Sequence, residues 1–314
     1  MTTEAVETDA ARNQMIGALL AALGAGLFSL KGVVIKLAYA EGMGVSQLLT
    51  WRMAFSLPFF LVIGFFAFRR SDKRPGWKLY AAAAGLGLLS YYLSSILNFW
   101  GLQYVSAQLE RLILYIYPTM VAVLAFVFLK ERVTRNHVIA LALAYIGVAI
   151  LFGSEVGAQG QMALVGGVVI FIGAFTYAIY VTASRSVIRR MGTALFTSFA
   201  MSAASIAFLT QSGIEMALHA PPPVTVNGLW LSFILATVCT VIPSFMIAEA
   251  IRRIGPGPMS AIGGVGPVVA AWAAVVVLNE PFGWPHMAAM ALTLSGVWLL
   301  SRPAPQRVPE IGPA

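Results

Sequence analysis

Two stretches of the chain repeat each other without a gap. Leu112–Phe152 reads LILYIYPTMVAVLAFVFLKERVTRNHVIALALAYIGVAILF, and Ala261–Ser301 reads AIGGVGPVVAAWAAVVVLNEPFGWPHMAAMALTLSGVWLLS. Apolar matches are common between hydrophobic segments, so the argument depends on residues of other kinds that fall in the same register. These pairs are Pro118 and Pro267, Glu131 and Glu280, His137 and His286, and Gly147 and Gly296. The chain therefore contains an internal repeat whose copies are displaced by 149 residues.

The composition excludes a soluble protein and a disordered one. Of 314 residues, 59% are hydrophobic and 10% are charged, whereas a soluble domain is about a quarter charged. The net charge of +8 does not indicate nucleic-acid binding, because the basic residues lie in short clusters between apolar runs and form no recognised nucleic-acid module. The single cysteine, Cys239, lies in an apolar run and is most simply a small core residue.

Ten apolar stretches have the length that a helix needs to cross the hydrocarbon core of a bilayer, about 20 residues. Transmembrane β-strands would be shorter and would alternate apolar with polar residues, which these stretches do not. The predicted spans are 13–38, 46–68, 78–100, 105–129, 136–153, 162–184, 193–212, 228–251, 257–278 and 285–301. We therefore predict an all-α integral membrane protein of ten transmembrane helices, with linkers too short to hold an extramembrane domain.

The distribution of basic residues predicts the direction of the spans. Cytoplasmic connections of membrane proteins are enriched in Lys and Arg. The connections around Glu41, Ser106, Glu155, Glu215 and Glu280 contain neither, whereas the alternate connections and the two ends contain most of the 20 basic residues. Those basic clusters are Arg12; Arg69, Arg70, Lys73, Arg74 and Lys78; Lys130, Arg132 and Arg135; Arg185, Arg189 and Arg190; Arg252 and Arg253; and Arg302 and Arg307. We therefore expect a multi-pass protein of the cell (inner) membrane with both termini in the cytoplasm.

The repeat and the span count together predict an inverted architecture. Five spans fall in residues 13–153 and five in 162–301, with cytoplasmic tails at 1–12 and 302–314. Because five is odd, the second half must enter the membrane from the opposite side. Inverted repeats are typical of secondary transporters, whose halves exchange conformations around a central site. The inference from this architecture to transport is by analogy of form.

The sequence resembles the EamA family of the drug/metabolite transporter superfamily over about residues 13–301. The matching motifs are Val34-Ile35-Lys36-Leu37-Ala38, Trp51-Arg52-Met53, Tyr115-Ile116-Tyr117-Pro118 with Leu129-Lys130-Glu131-Arg132, and Gly264-Val265-Gly266-Pro267 with Leu278-Asn279-Glu280-Pro281. The resemblance implies a carrier of small metabolites, often an exporter of amino acids or amphipathic compounds. The chain departs from the family at Lys31, where a small or amide residue is usual. The Glu110-Arg111 pair also lacks a counterpart in the second half, where Met259 and Ser260 occupy the equivalent positions.

Ionisable side chains within spans are expensive and usually face the bundle interior or a wet cavity. Five of them crowd the outer half of the first repeat, four cations and one carboxylate: Lys31, Lys36, Arg52, Glu110 and Arg111. The alternative is that long side chains reach back to the interface, which we favour for Lys36. Lys31 lies roughly 13 Å deep at 1.5 Å per residue. We expect Glu110 to pair with Lys31 or Arg52, leaving a positive potential that favours substrates with a carboxylate or another anionic group.

Glu249, near the cytoplasmic end of the eighth span, has two interpretations. It forms an i,i+3 pair with Arg252, or it is a carboxylate that couples transport to protons.

Prolines at equivalent positions of both repeats indicate where the centre of the protein lies. Pro118 and Pro267 fall within spans, where proline removes a helix hydrogen bond, and matched interruptions point to a central site. A packing kink without a ligand is the alternative. Aromatic and amide side chains that could line the pathway, or else belong to interfacial belts, are Tyr91, Tyr92, Asn98, Trp100, Tyr177 and Tyr180. The predicted substrate-binding set is Lys31, Arg52, Tyr91, Asn98, Glu110, Arg111, Tyr115, Pro118, Tyr177, Gly264 and Pro267.

Other functional classes lack their motifs. The sequence has no His-Glu-x-x-His metal site and no phosphate-binding loop of the Walker kind, so we expect neither an enzyme nor an ATP-driven pump, and no cofactor or metal. The expected partners are a small-molecule substrate and the lipid bilayer, not nucleic acid. Transport could be coupled to a proton or to a counter-substrate. The sequence does not specify an oligomeric state. A membrane scaffold or sensor without flux is the alternative function.

Overall fold

A computed structural model describes residues 3–70, 75–129, 135–218, 223–254, 259 and 262–301. Those residues are almost all helical, and no strand occurs among them. The helices are α1 Thr3–Ser29, α2 Lys31–Ala40, α3 Val45–Arg69, α4 Trp77–Gly87, α5 Ser95–Gly101, α6 Ala107–Tyr115, α7 Tyr117–Leu129, α8 Arg135–Gln159, α9 Gln161–Met191, α10 Thr193–Leu218, α11 Val226–Ala236, α12 Ile242–Ile254, α13 Val265–Leu278 and α14 Trp284–Ser301. Two π-helical segments, π1 Leu88–Ser94 and π2 Thr237–Val241, join α4 to α5 and α11 to α12.

Eight continuous helical stretches are long and apolar enough to cross a membrane. They are Ala11–Ala40, Val45–Arg69, Trp77–Gly101, Ala107–Phe128, Val138–Ala158, Gln161–Ser184, Thr193–Leu218 and Val226–Ile247. The ninth predicted span corresponds to the shorter apolar helix α13, and the tenth corresponds to α14. The all-α, multi-pass membrane architecture is therefore confirmed, and the count of ten spans stays a prediction. Helix α1 already begins at Thr3, so much of the predicted amino-terminal tail continues the first helix.

The surface of the bundle is apolar where a lipid-facing surface is expected. On α3, Leu61, Val62, Phe65 and Phe66 expose about half of their side chains. In water such a stripe would be a large hydrophobic patch, whereas in a bilayer it meets hydrocarbon. The buried core lies between the helices and includes Ile35, Leu48, Leu49, Met53, Phe99 and Leu109.

Helix breaks occur beside both repeat prolines. Helix α6 ends at Tyr115 and α7 begins at Tyr117, so Pro118 lies in the first turn of α7. In the same way, Pro267 lies in the first turn of α13. Proline is tolerated there because the first amides of a helix have no partner within it. The predicted interruptions of the fourth and ninth spans are thus realised as breaks just before the prolines.

Glycines of the two halves make reciprocal contacts. A Cβ atom built on Gly147 would lie 2.7 Å from the carbonyl oxygen of Ala289, and one built on Gly296 would lie 2.6 Å from the carbonyl oxygen of Ala140. Both contacts join α8 to α14. A shift of 149 positions turns Gly147 into Gly296 and Ala140 into Ala289, so it converts one contact into the other. Small residues allow such close helix approach in membranes.

Glycines of the first and sixth spans also make contacts that are related by the repeat. A Cβ atom built on Gly17 would lie 2.5 Å from Ile254 Cγ2, and one built on Gly166 would lie 3.3 Å from Val105 Cγ1. These positions are again related by 149 residues. Helix α1 therefore packs on α12 much as α9 packs on the chain after α5.

Candidate substrate site

Three polar side chains from the first half form a buried hydrogen-bonded chain. Lys31 begins α2, immediately after the break at Leu30, and its Nζ donates to Asn98 Oδ1 at 2.9 Å. Asn98 Nδ2 donates to Glu110 Oε1 at 2.7 Å, and Lys31 Nζ lies 3.6 Å from the same oxygen. Only 2% of Asn98 and 1% of Glu110 are exposed. The predicted pairing of Glu110 with Lys31 is confirmed, and Asn98 joins the two.

Arg52, on α3, connects the first half to the second. It is 4% exposed, and its Nε donates to Thr240 Oγ1 in π2 at 3.2 Å. Its guanidinium carbon lies 5.4 Å from the centroid of the Phe99 ring, a cation–π distance. Its Nη1 is buried and has no hydrogen-bond partner among the residues that the structure describes. Arg52 Nη1 can therefore donate a hydrogen bond to a further group.

Arg111, on α6, makes the second connection between the halves. Its guanidinium carbon lies 5.7 Å from the centroid of Phe28, the ring that Lys31 Nζ approaches at 5.8 Å. A Cβ atom built on Gly266 would lie 2.9 Å from Arg111 Nη2 and 2.6 Å from Ser29 Oγ. Gly266 thus lets the guanidinium pack against the start of α13. The Nε of Arg111 is buried without a hydrogen-bond partner in the described part of the chain.

The three cations act on one another electrostatically. Lys31 interacts with the charges of Glu110, Arg52 and Arg111. Coulomb interactions are several-fold stronger in such a buried setting than in water. Within the described residues, this group contains three positive charges and a single carboxylate.

Tyrosines lie near the guanidinium groups of Arg52 and Arg111. The hydroxyl oxygens of Tyr91 and Tyr180 lie 3.0 Å apart, and the ring of Tyr177 packs edge-on against Tyr117 with centroids 5.2 Å apart. Arg111 interacts electrostatically with Tyr115, Tyr117 and Tyr177, and Arg52 does so with Tyr91. The structure thus places the predicted tyrosines beside the predicted cations.

The amino end of α6 is capped by two carboxylates from elsewhere in the chain. Glu155, at the end of α8, accepts hydrogen bonds from the amide and the hydroxyl of Ser106. Glu280, after α13, accepts from the amides of residues 107 and 108 at 2.8 Å and 3.4 Å. Lys36 Nζ lies 3.6 Å from Glu280 Oε1, so this lysine has an ion-pair partner within the protein. Anionic groups are favourable at this end of a helix, and here they join both halves to the helix that holds Glu110.

Several residues of this site are missing from the sequence-based set, namely Phe28, Ser29, Phe99, Glu155, Thr240, Gly266 and Glu280. Most of them are neutral or small and carry no signal of their own in an apolar run. Thr240 is an exception, because it occupies the position that Tyr91 has in the first repeat. Glu280 is another, because it is in register with Glu131.

Glu249 forms an ion pair within its own helix. Its Oε1 lies 2.6 Å from Arg253 Nε, an i,i+4 pair. The predicted i,i+3 partner, Arg252, has a side chain outside the described residues, so the pairing with Arg252 stays a prediction. Both spacings bring side chains to the same face of a helix.

A large groove lies apart from this site. It has a volume of about 930 Å³ and lies between α3, α4 and α10, where Phe65, Phe66, Phe199 and Ile206 line it. Its lining is almost entirely apolar, and two of its phenylalanines, Phe65 and Phe66, are exposed on α3. This groove therefore belongs to the lipid-facing surface rather than to the charged centre.

Known proteins resemble this chain along most of its length. The profile of the EamA-like transporter family matches residues 15–153 and 164–302, and that of solute carrier family 35 matches residues 96–220. Two similar proteins come from Bacillus subtilis (strain 168). One, named Uncharacterized transporter YcbK, is 29% identical over 291 residues, which cover 89% of this chain and 90% of the relative. The other, named Uncharacterized transporter YojE, is 26% identical over 269 residues, with coverages of 82% and 83%.

A solved structure shares the fold. The crystal structure of another protein, 19% identical, superposes with a TM-score of 0.61 and covers 90% of this chain and 96% of that chain.

Proposed function

The chain belongs to the EamA-like transporter family, and from that premise we propose that it exports amino acids or related carboxylated or amphipathic compounds by alternating access. Transport would be secondary-active or facilitative. The protein would lie in the cell (inner) membrane, with both termini in the cytoplasm. A membrane scaffold or sensor without flux is the alternative.

The proposal includes ten spans arranged as two inverted five-helix repeats. The reciprocal glycine contacts support it, because an exchange of partners under a shift of 149 residues is what a pseudo-two-fold axis between halves produces. The π-helical segments support it as well, since π1 begins at Leu88 and π2 at Thr237, again 149 residues apart. The break at Ile116 and the start of α13 at Val265 have the same displacement. Two half-structures with equivalent irregularities are the expected machinery of alternating access.

One observation carries the location of the site: both buried guanidinium groups of the first half contact residues of the second half that lie in or directly beside an irregular segment. Arg52 donates to Thr240 in π2, and Arg111 packs against Gly266 at the start of α13. Any movement of one half against the other must change these two contacts. A solute bound at Arg52 Nη1 or Arg111 Nε would therefore sense, and bias, the relative position of the halves.

Counterflow in proteoliposomes tests this proposal. Vesicles with purified protein, loaded with an unlabelled metabolite extract, should exchange internal solutes for the same compounds outside. Gly266→Ala should slow exchange by about tenfold or more, because a binding group misplaced by about 1 Å can cost about a hundredfold in rate.

The matched control is Gly26→Ala, at which the nearest atom to a new Cβ, Val269 Cγ2, lies at an ordinary 3.8 Å. This variant should exchange solutes like the unchanged protein. Vesicles that exchange nothing would indicate a scaffold or sensor. Equal exchange rates for the two glycine variants would show that the substrate site does not lie where the two halves meet.

A further inference from the structure

We propose that the solute carried through this site is a small organic dianion, with two carboxylates or one phosphate ester. The inference rests on the proposed transport function and specifies the charge of its substrate.

The first step is the net charge of the side chains that form the site. Lys31 and Glu110 lie 3.6 Å apart and share Asn98, so their charges offset each other. Arg52 and Arg111 have no carboxylate within ion-pair distance among the described residues, and arginine does not give up its proton in proteins. Glu110 also interacts with the charge of Arg111, but the three cations and one carboxylate together keep a net charge of two positive units in a buried place, where unbalanced charge is costly.

The second step is that nearby carboxylates are otherwise engaged. Glu155 and Glu280 are bound to the amide groups at the amino end of α6, and Glu280 also contacts Lys36. Glu249 pairs with Arg253. Neither Arg52 nor Arg111 has any of these three among its electrostatic partners. The charge that balances the two arginines must come from outside the described chain, and a substrate can supply it.

The third step is the geometry of the two guanidinium groups. Phe99 approaches Arg52 and Phe28 approaches Arg111 at cation–π distances. Stacking of this kind leaves the N–H groups at the edge of a guanidinium available, and that edge matches carboxylate and phosphate oxygens. The unpartnered atoms, Arg52 Nη1 and Arg111 Nε, belong to these edges. Each arginine can thus donate to an anionic group of the solute.

This count disfavours a zwitterionic amino acid. Its carboxylate would satisfy one guanidinium group, but its ammonium group would return a positive charge to the site. The sum would stay at two positive charges. A dicarboxylate or a phosphate monoester brings the sum to zero. Among carboxylated compounds, the site therefore selects those with a second negative charge.

Binding to the purified full-length protein at neutral pH tests the proposal. The probes are succinate and glycerol 3-phosphate as dianions, propionate as a monoanion and alanine as a zwitterion, each titrated calorimetrically. Succinate or glycerol 3-phosphate should bind about tenfold or more tightly than propionate or alanine, because the second negative charge pairs with a buried guanidinium group that a monoanion or a zwitterion leaves unpaired.

Neutral replacements of a cation and of the carboxylate make the test specific. Arg52→Gln should reduce the ratio of dianion to monoanion affinity by about tenfold, and Glu110→Gln should increase dianion affinity, since it removes a competing negative charge. Arg190→Gln removes a positive charge from an exposed position and should change neither quantity. A ratio that Arg52→Gln leaves unchanged would overturn the proposal.

Mass spectrometry of the compounds exchanged during counterflow separates the two levels of failure. Exchange confined to compounds with two carboxylates or a phosphate ester supports the dianion. Exchange of zwitterions or monoanions overturns the dianion but leaves the transport function standing. No exchange of any compound overturns the transport function itself.

Discussion

The three buried cations differ in how their charge is compensated. Lys31 has protein partners in Asn98 and Glu110, so its charge is balanced within the protein. Arg52 and Arg111 each keep an N–H group that has no hydrogen-bond partner among the residues that the structure describes, so these groups are available to a ligand. The sequence was sufficient to predict the first pairing, because a carboxylate and a lysine within apolar spans must find each other or a comparable partner. It was not sufficient to predict Phe28 or Phe99, whose side chains are ordinary in any span.

The pairing of Lys31 with Glu110 leads to a prediction about stability. Glu110→Leu should destabilise the protein by about 3–5 kcal/mol, because it leaves Lys31 as an uncompensated buried charge. Adding Lys31→Met should restore most of that loss, because a buried ion pair can be replaced by well-packed apolar residues. Thermal unfolding of the purified variants measures both effects. A double variant as unstable as the single one would show that the pair does not act as a unit.

The helices themselves divide into predictable and unpredictable parts. Hydropathy located the eight long apolar helices within a few residues, since a segment that meets lipid must satisfy its backbone internally and be apolar outside. The prolines located the breaks before α7 and α13. The segments π1 and π2 carry no such marker, because one extra residue per turn is accommodated by neighbouring helices rather than by a special amino acid. The hydrogen bonds from the amino end of α6 to Glu155 and Glu280 could not be predicted either, because they depend on tertiary contact.

The cap on α6 predicts a closure at the outer end of the site. Glu280→Ala removes two hydrogen bonds from backbone amides and the contact with Lys36. Hydrogen bonds to charged groups are each worth about 1.5–3 kcal/mol, so the outer end should open more often. In a Cys239→Ser background, a cysteine at the buried Ser29 position should react about tenfold faster with an impermeant thiol reagent added outside.

Glu41→Ala is the control for this experiment. Glu41 is predicted on the same side of the membrane, where it accepts hydrogen bonds from Thr225 and Asn227, and it makes no described contact with α6. Its removal should leave the labelling rate unchanged. Equal rates for the two variants would mean that Glu280 does not hold the outer end closed.

At the scale of the molecule, the two halves are related by contacts as well as by sequence. The shift of 149 residues that aligns the repeats also exchanges the partners of Gly147 and Gly296 across α8 and α14. The sequence predicted the repeat but not which helices meet, because apolar faces in a membrane offer many acceptable partners. Close glycine contacts select among them.

This symmetry predicts matched effects of matched substitutions. Gly147→Leu and Gly296→Leu should each destabilise the protein by about 1–3 kcal/mol, because the new side chain has no room against the facing helix. Gly153→Leu, on the same helix α8 but with nothing within 4 Å of a new Cβ, should be tolerated. Thermal unfolding of the three variants measures the difference. A large loss at one glycine and none at the other would contradict an equivalent arrangement of the halves.

The inverted arrangement of the halves is the central claim, and the sidedness of two single cysteines tests it most directly. In a Cys239→Ser background, Ala11→Cys and Gly157→Cys place thiols at exposed positions before the first half and at the end of α8. An impermeant maleimide added to intact cells should label position 157 and should reach position 11 only after lysis. Labelling of both positions from the same side of the membrane would contradict the account.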